Sequence, residues 1–382
     1  VNTGTGIKIA VVGRGLIGSA AARHLSKMGH AVALIGSDEP EDFSRHTGVF
    51  GSHYDEGRIT RRFDPEPFWV QMNRAAISRY DEISAESGVE FYREAGVLHV
   101  GDAENPNVAL VAKVTAENGI LCESYKDTEL AERFPFLKST AAMQGYFEPH
   151  DAGYISPRRL VRAQTIAAQR AGARVIAEAA IGISESQFAV TVRTNSTSID
   201  VDHVLVAAGG HTQSLLGQSL GFKVYGRTAA LFRLSITEAQ RLAEMPSMRC
   251  IGPKGNNPYI LPPISYPDGQ SWLKLGGDPV DIPLESEADI KNWFRSGGSD
   301  QVADLLEAQI LDRIHDLEFE ERRMVPCMTT FGNTGLPCIG PVSERVTVAF
   351  CCYGKSAKCS DELGRLGAMA LLGEVRAELA PR

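Results

Sequence analysis

The chain has 382 residues, 43% hydrophobic and 23% charged, with a formal net charge of −8. That length exceeds one compact core, so two domains are expected in a soluble globular protein of ordinary composition. The acidic balance argues against a general nucleic-acid or anionic-membrane surface, and no apolar run approaches the roughly 18 residues of a bilayer span.

The cysteines number seven, an odd count, and none stands in CxxC spacing. They read as mostly free thiols in a reducing compartment rather than as a disulfide framework or metal site. The opening stretch GIKIAVVGRGLIGSAAARHL has the outline of a signal peptide, but Arg14 interrupts its apolar run. The closing LAPR carries no address signal, and the cytoplasm is the expected location.

Residues 7–12, IKIAVV, read as a buried parallel strand. Gly13, Gly15 and Gly18 follow in GxGxxG spacing, then a helix stopped near Gly29, then a second strand, AVALIG. This is the dinucleotide-binding unit. Its first glycine permits a tight turn, the second lets backbone approach a pyrophosphate, and the third lets helix and strand pack closely. The helix N-terminus faces the phosphates with free N–H groups. An acid normally ends the second strand and holds the ribose hydroxyls. Here that place is Gly36, which leaves Ser37 or Asp38 for the contact. NAD(P) and FAD both use this unit, and the pattern does not choose between them.

SRHTGVFGSHYDEGRITRRF reads as a loop turning into helix. Residues 68–83 then place Trp69, Met72, Ala76, Tyr80 and Ile83 on one helical face, a core stripe. Residues 88–150 mix short strands and helices. Ser156 caps a helix with Pro157 in its first turn and Gly172 at its end. Strands VIAEA, FAVTV, SIDVD and HVLVAAGG follow, the last ending in small residues, as where backbone passes close to a cofactor. Further strands and a helical stretch over 286–317 lead to the buried strand VTVAFCCYG. A last helix is expected over 361–380, with Ser360 as its cap. The first and last thirds thus read as one nucleotide-binding domain split by a second domain.

The segments VVGRGLIGSAAARHL, GSHYDEGRITR, YFEPHDAGYISPRRLVRA, VLVAAGG, SWLKLGG, VPCMTT and YGKSAKCSDELG stand in an order and spacing that resemble the monomeric sarcosine oxidase and N-methyltryptophan oxidase family. That family lies within the D-amino-acid-oxidase-like flavoenzymes, and the resemblance covers nearly the whole chain. It implies an α/β fold. An FAD-binding Rossmann-like domain of the glutathione-reductase type would comprise residues 1–85, 150–215 and 325–382. A second, α+β substrate domain on a mixed or antiparallel sheet would comprise 86–149 and 216–324.

The resemblance also implies site residues. Cys327, which by itself reads as a buried thiol, matches the cysteine that forms a thioether to the 8α-methyl carbon of FAD. Lys274, which alone reads as a solvent-facing strand lysine, matches the lysine over the flavin that promotes reaction with oxygen. Arg61 and Lys358 match the carboxylate-binding pair, Arg58 lies against the flavin, and Tyr259 lines the substrate pocket. Gly13, Gly15, Gly18, Ser37, Arg58, Gly209, Cys327, Gly354 and Lys358 are the expected cofactor contacts. Asp278 and Thr329 stand where sarcosine-type members have histidine and tyrosine, and Lys355 replaces a second histidine. The pocket therefore reads as rebuilt, for a more polar N-substituted amino acid.

The expected activity is oxidation of a secondary amino acid to an imine, with oxygen reduced to hydrogen peroxide, by a chain that is monomeric like most of the family. Three other readings stay open: a dehydrogenase of the same fold with another electron acceptor, an NAD(P)-dependent dehydrogenase, and a flavin-binding protein without turnover.

Overall fold

The computed structural model describes residues 8–252, 257–277 and 279–381, so Asp278 lies outside the described residues. Its first sheet has six strands, in the order Cys338–Pro341, Val346–Phe350, His203–Val206, Lys8–Val12, Ala31–Ile35 and Arg174–Ile176. All neighbours run parallel except the Cys338–Pro341 edge. The near-continuous Val, Ile and Ala runs fit burial on both faces. On one face Ile9, Val11 and Leu205 pack against Ala21 and Leu25 of the helix Leu16–Lys27 and Leu363 of the helix Ser356–Leu371. On the other, Ala10, Val12 and Val206 meet Val190, Val192 and Val201 of a three-stranded antiparallel sheet.

The helices on the first face are tied by a buried charge. Asp361 accepts from Arg79 Nε at 2.5 Å and Gln164 Nε2 at 2.9 Å, and lies 3.1 Å from His24 Nε2 and 3.4 Å from Arg23 Nη1. Burial would raise its pKa, but His24 and Arg79 hold the carboxyl well below the ordinary carboxylate range. Its contribution to stability is therefore full above the unfolded value of about 3.9 and is lost as the pH falls below it. Asp361→Ala leaves the fully buried Arg23 short of a partner and is expected to cost about 3–5 kcal/mol in urea unfolding at neutral pH. Asp361→Asn is expected to lose less stability on acidification through pH 4 than the parent chain.

The second sheet is mixed and nine-stranded. Its path runs Ile282–Pro283, Lys223–Arg233, Ser271–Gly276, Tyr259–Ser265, Ser247–Ile251, Val97–Asp102, Met143–Glu148, Glu123–Lys126, with Glu321–Phe331 also pairing Lys223–Arg233. Residues directly opposite one another, and alternate residues along a strand, share a face. One face carries Leu98, Phe147, Met248, Ile260, Leu273, Leu275, Ala230 and Phe232, packed on Val302, Leu306 and Ile310 of the helix Asp300–Leu311. The pairs Arg249–Tyr259, Tyr259–Gly276, Leu261–Lys274, Leu231–Lys274, Arg227–Cys327 and Tyr225–Thr329 fix the opposite face. That face therefore carries Arg249, Tyr259, Lys274, Cys327 and Thr329 together.

Several local expectations change. The segment before Arg61 ends in a strand, Arg58–Thr60, paired with Gly153–Ile155, and not in a helix. Its β-branched Ile59 and Thr60 favour that choice. The 68–83 helix is two helices, Pro67–Ile77 and Tyr80–Ser87, although Trp69, Met72, Ala76, Tyr80 and Ile83 are all buried as expected. The 286–317 stretch breaks into Glu287–Ser296 and Asp300–Leu311 at Gly297 and Gly298, both with positive φ. The last helix starts at Ser356 and ends at Leu371. Ser360 is inside it, donating to Ala357 O at 3.1 Å, and caps nothing. A turn with positive φ at Cys351, Tyr353 and Gly354 delivers the chain into the helix earlier than its composition implies. No helix of the described residues is long and apolar enough to cross a membrane.

Candidate active site

A cavity of about 460 Å³ opens at the carboxyl ends of the parallel strands, where Val12, Ile35, Ala207 and Phe350 line it. Gly13 and Gly15 form one wall. Gly13 has φ +110°, and a Cβ there would stand 2.3 Å from Ala207 O. Gly18 does not line the cavity; a Cβ on it would fall 1.8 Å from Gly13 O, so its role is the close packing of turn and helix. These are the spaces that a pyrophosphate-binding turn needs to keep free.

Ser37 lines the cavity, whereas Asp38 does not and is ion-paired to Arg14. The missing acid has a steric cause. A Cβ on Gly36 would lie 2.5 Å from both the backbone N and the Cβ of Arg14. His53 lies along the same wall, its Nδ1 3.8 Å from where a Gly15 Cβ would be. Burial and then the Arg14 charge push its pKa down to about 3, so the imidazole is neutral. Gly209 (φ +56°) and Gly354 (φ +67°) also line the cavity.

Arg58, Met328, Thr329 and Ala357 also line the cavity. Arg58 Nη2 donates to Ser52 O and to Cys327 Sγ, each at 3.2 Å, and Nε donates to Asp55 at 3.1 Å. Burial would lower the Arg58 pKa, but Cys327 and Asp55 outweigh it and keep the guanidinium charged. Cys327 is buried just outside the lining, its sulfur held between Arg58 and the wall residue Ser52 at 3.8 Å. Thr329 Oγ1 accepts from Arg227 Nε at 3.0 Å.

Lys274 is fully buried, contrary to the reading of a lone strand lysine as solvent-facing. Its ammonium is paired with Asp55, donates to Gly57 O at 2.7 Å and lies 5.7 Å from the Tyr259 ring centroid. Asp55 also accepts from Tyr266 at 2.9 Å. Burial alone would raise Asp55, but Lys274 and Arg58 hold it down at about 2. Neither Asp55 nor Tyr266 was anticipated; only the acid three residues before Arg58 hints at the first.

Arg61 and Lys358 do not line the cavity, but the chain carries them away from it directly beyond Arg58 and Ala357. In a strand, residues three apart point oppositely. Arg58 meets Cys327, and Arg61 joins Asp64 and Lys358 instead. Burial and then the Arg61 charge bring Lys358 down to about 8, and its Nζ donates to Lys355 O at 3.1 Å. Lys355 pairs with Asp64 at 2.7 Å and sits 5.4 Å from the Trp69 ring centroid. Among the described residues the buried Arg61 Nε has no hydrogen-bond partner.

The residues thus fit an extended dinucleotide such as FAD: three glycines keep its turn clear, and the cavity runs from that turn to Arg58 and the start of the last helix. Mouse (Mus musculus) peroxisomal sarcosine oxidase is 25% identical over 329 residues, covering 84% of this chain and 80% of that protein. N-methyl-L-tryptophan oxidase of Yersinia pestis is 26% identical over 210 residues, 54% of this chain and 55% of the relative. Among solved structures, NikD, an unusual amino acid oxidase essential for nikkomycin biosynthesis, superposes with a TM-score of 0.77 at 20% identity, covering 99% of this chain and 98% of that one. Glycine oxidase from Bacillus cereus gives 0.72 at 16% identity over 97% and 98%. At these identities the structural likeness is one of fold. The family model described as FAD dependent oxidoreductase matches residues 8–369, and the chain belongs to that family.

Proposed function

We propose that the chain oxidises the C–N bond of an N-substituted amino acid and passes the electrons to oxygen, releasing hydrogen peroxide. The observation that carries this reading is that buried Arg61 and Lys358 follow the cavity-lining Arg58 and Ala357, while Arg58 donates to Cys327 and shares Asp55 with Lys274. Bound FAD supplies the two-electron chemistry. Arg61 and Lys358 hold the substrate carboxylate, Arg61 through paired N–H donors and Lys358 as a point charge. Tyr259 and Thr329 flank the bound amino acid. Lys274 places a fixed cation in a buried site, where it stabilises negative charge developing on oxygen. Cys327 would hold the cofactor through a thioether to its 8α carbon, the proton leaving that carbon and the two electrons passing through the flavin to oxygen, while Arg58 donates to the sulfur and positions it.

The proposed division into two domains gives the parallel sheet to one domain and most of the mixed sheet to the other. Residues 1–85, 150–215 and 325–382 hold the cofactor, while 86–149 and 216–324 carry most strands of the mixed sheet that roofs the substrate. The strand Glu321–Phe331 runs across that boundary, and Cys327, on the cofactor side of it, pairs with Arg227 of the other domain.

Arg61→Met is expected to raise KM for an N-methyl amino acid by about 10- to 100-fold, the loss of a charged hydrogen-bond pair, with a smaller change in kcat. Lys358 loses its proton above about pH 8, so KM is expected to climb there. Lys358→Met flattens that climb. A pH profile with no difference between variant and parent removes Lys358 from the carboxylate site.

One observation favours a second reading. The Lys274 charge is paired with Asp55, which lessens the field available to oxygen. A same-fold dehydrogenase using another acceptor follows from that. Oxygen uptake matching substrate loss one for one supports the oxidase; turnover only with an artificial acceptor supports the dehydrogenase.

A further inference from the structure

The mixed sheet offers an arginine that the proposed reaction does not use. Arg249 sits within the strand Ser247–Ile251, directly across from Tyr259 on one side and His99 on the other. It therefore shares the face of Tyr259 and Lys274. Among the described residues its buried Nη1 has no hydrogen-bond partner, and its guanidinium carbon stands 5.7 Å from the Phe63 ring centroid. Among the described residues it makes no ion pair. Burial and then the charge of Arg61 lower its pKa to about 10, which puts the two guanidinium groups in one electrostatic neighbourhood.

The carboxylates nearby are already engaged. Asp64 is paired with Lys355 at 2.7 Å. Glu148 lies 2.8 Å from His99 and accepts from the Arg62 backbone at 3.2 Å. Arg61, Arg249 and Lys358 are left without a carboxylate of the chain, among the described residues, within ion-pair distance. A single amino-acid carboxylate satisfies Arg61 and Lys358, and the third cation stays unpaired. Arg249 is half-buried, and a buried guanidinium nitrogen left without a partner is destabilising unless an anion completes it.

We infer that Arg249 is a second anion-recognising residue of the substrate site, and that the substrate is an N-substituted amino acid bearing two carboxylates. This rests on the reading of Arg61 and Lys358 as the holders of the first carboxylate. Arg249 takes the second, carried on the side chain or on the N-substituent, with Phe63 and Tyr259 bordering the space between.

The test is binding of non-oxidisable ligands to the FAD-loaded protein, by calorimetry and by perturbation of the flavin spectrum. Succinate and glutarate are compared with propionate and butyrate. The dicarboxylates are expected to bind at least about tenfold tighter, the worth of one charged hydrogen-bond pair. In Arg249→Met that ratio collapses towards one, and Arg249→Lys restores part of it. Equal affinity for mono- and dicarboxylates, with both weakened by Arg61→Met, overturns this inference and leaves the carboxylate reading of Arg61 intact. Binding of neither class, or no effect of Arg61→Met, refutes that reading and the inference with it. A ratio that persists in Arg249→Met also overturns the role of Arg249. Relative kcat/KM for N-methyl-L-glutamate and N-(carboxymethyl)glycine then tells which branch carries the second carboxylate.

Discussion

Replacing Lys274 with methionine is expected to slow oxygen consumption during turnover by about 10²- to 10³-fold, while anaerobic reduction of the bound flavin by substrate changes far less. The split follows from position. Lys274 is fully buried on the face of the mixed sheet that also carries Tyr259, Cys327 and Thr329. Its charge is fixed by Asp55 and Gly57 O, and so deeply buried a charge acts on oxygen with little reorganisation. Methionine keeps the length of the side chain and removes the cation. It also strands Asp55, which keeps Arg58 and Tyr266 as partners. Stopped-flow reoxidation of the reduced protein reads the effect directly. An unchanged reoxidation rate assigns oxygen activation elsewhere and strengthens the dehydrogenase reading.

The second large effect concerns Cys327. Acid precipitation of the purified protein is expected to leave the yellow colour in the pellet, and Cys327→Ser is expected to move all of it to the supernatant. The sulfur accepts from Arg58 Nη2 at 3.2 Å and lies 3.8 Å from the carbonyl of the wall residue Ser52, which puts it at the edge of the cavity. Arg58→Met is expected to slow tethering without removing the sulfur, giving a partial release. Colour in the supernatant from the parent chain makes Cys327 a packing residue and its neighbour Arg58 a cofactor contact alone.

Much of this arrangement was legible in the sequence, because it rests on short-range patterns. GxGxxG between two apolar runs specified the turn, and Gly13 carries the positive φ that the motif needs. The alternation in SWLKLGG sent Leu273 and Leu275 to one side and Lys274 to the other, although only the neighbouring strands show that both sides are buried. Ser156 and Pro157 start their helix as read.

What escaped the sequence depends on residues far apart in the chain. Asp55 meets Lys274 across 219 positions. Arg249 acquires meaning only through its register with Tyr259 and His99. Gly36 looked like a lost acid, but the space its side chain would need is occupied by Arg14. Ser360 looked like a cap because the strained turn at Cys351–Gly354, which starts the helix sooner, has no strong local signature beyond Gly354. The segment that carries Arg58 and Arg61 reads as a loop turning into helix, yet Arg58 opens a short strand and each arginine has its own partners.

The central claim is that an N-substituted amino acid reduces the flavin held in this cleft. The most direct measurement is anaerobic titration of the FAD-loaded protein with N-methyl amino acids, following the yellow absorbance. Bleaching by N-methylated amino acids, much slower in Arg61→Met at limiting substrate, is the expected result. A flavin that stays yellow with every N-substituted amino acid, or that bleaches equally well in Arg61→Met, contradicts it.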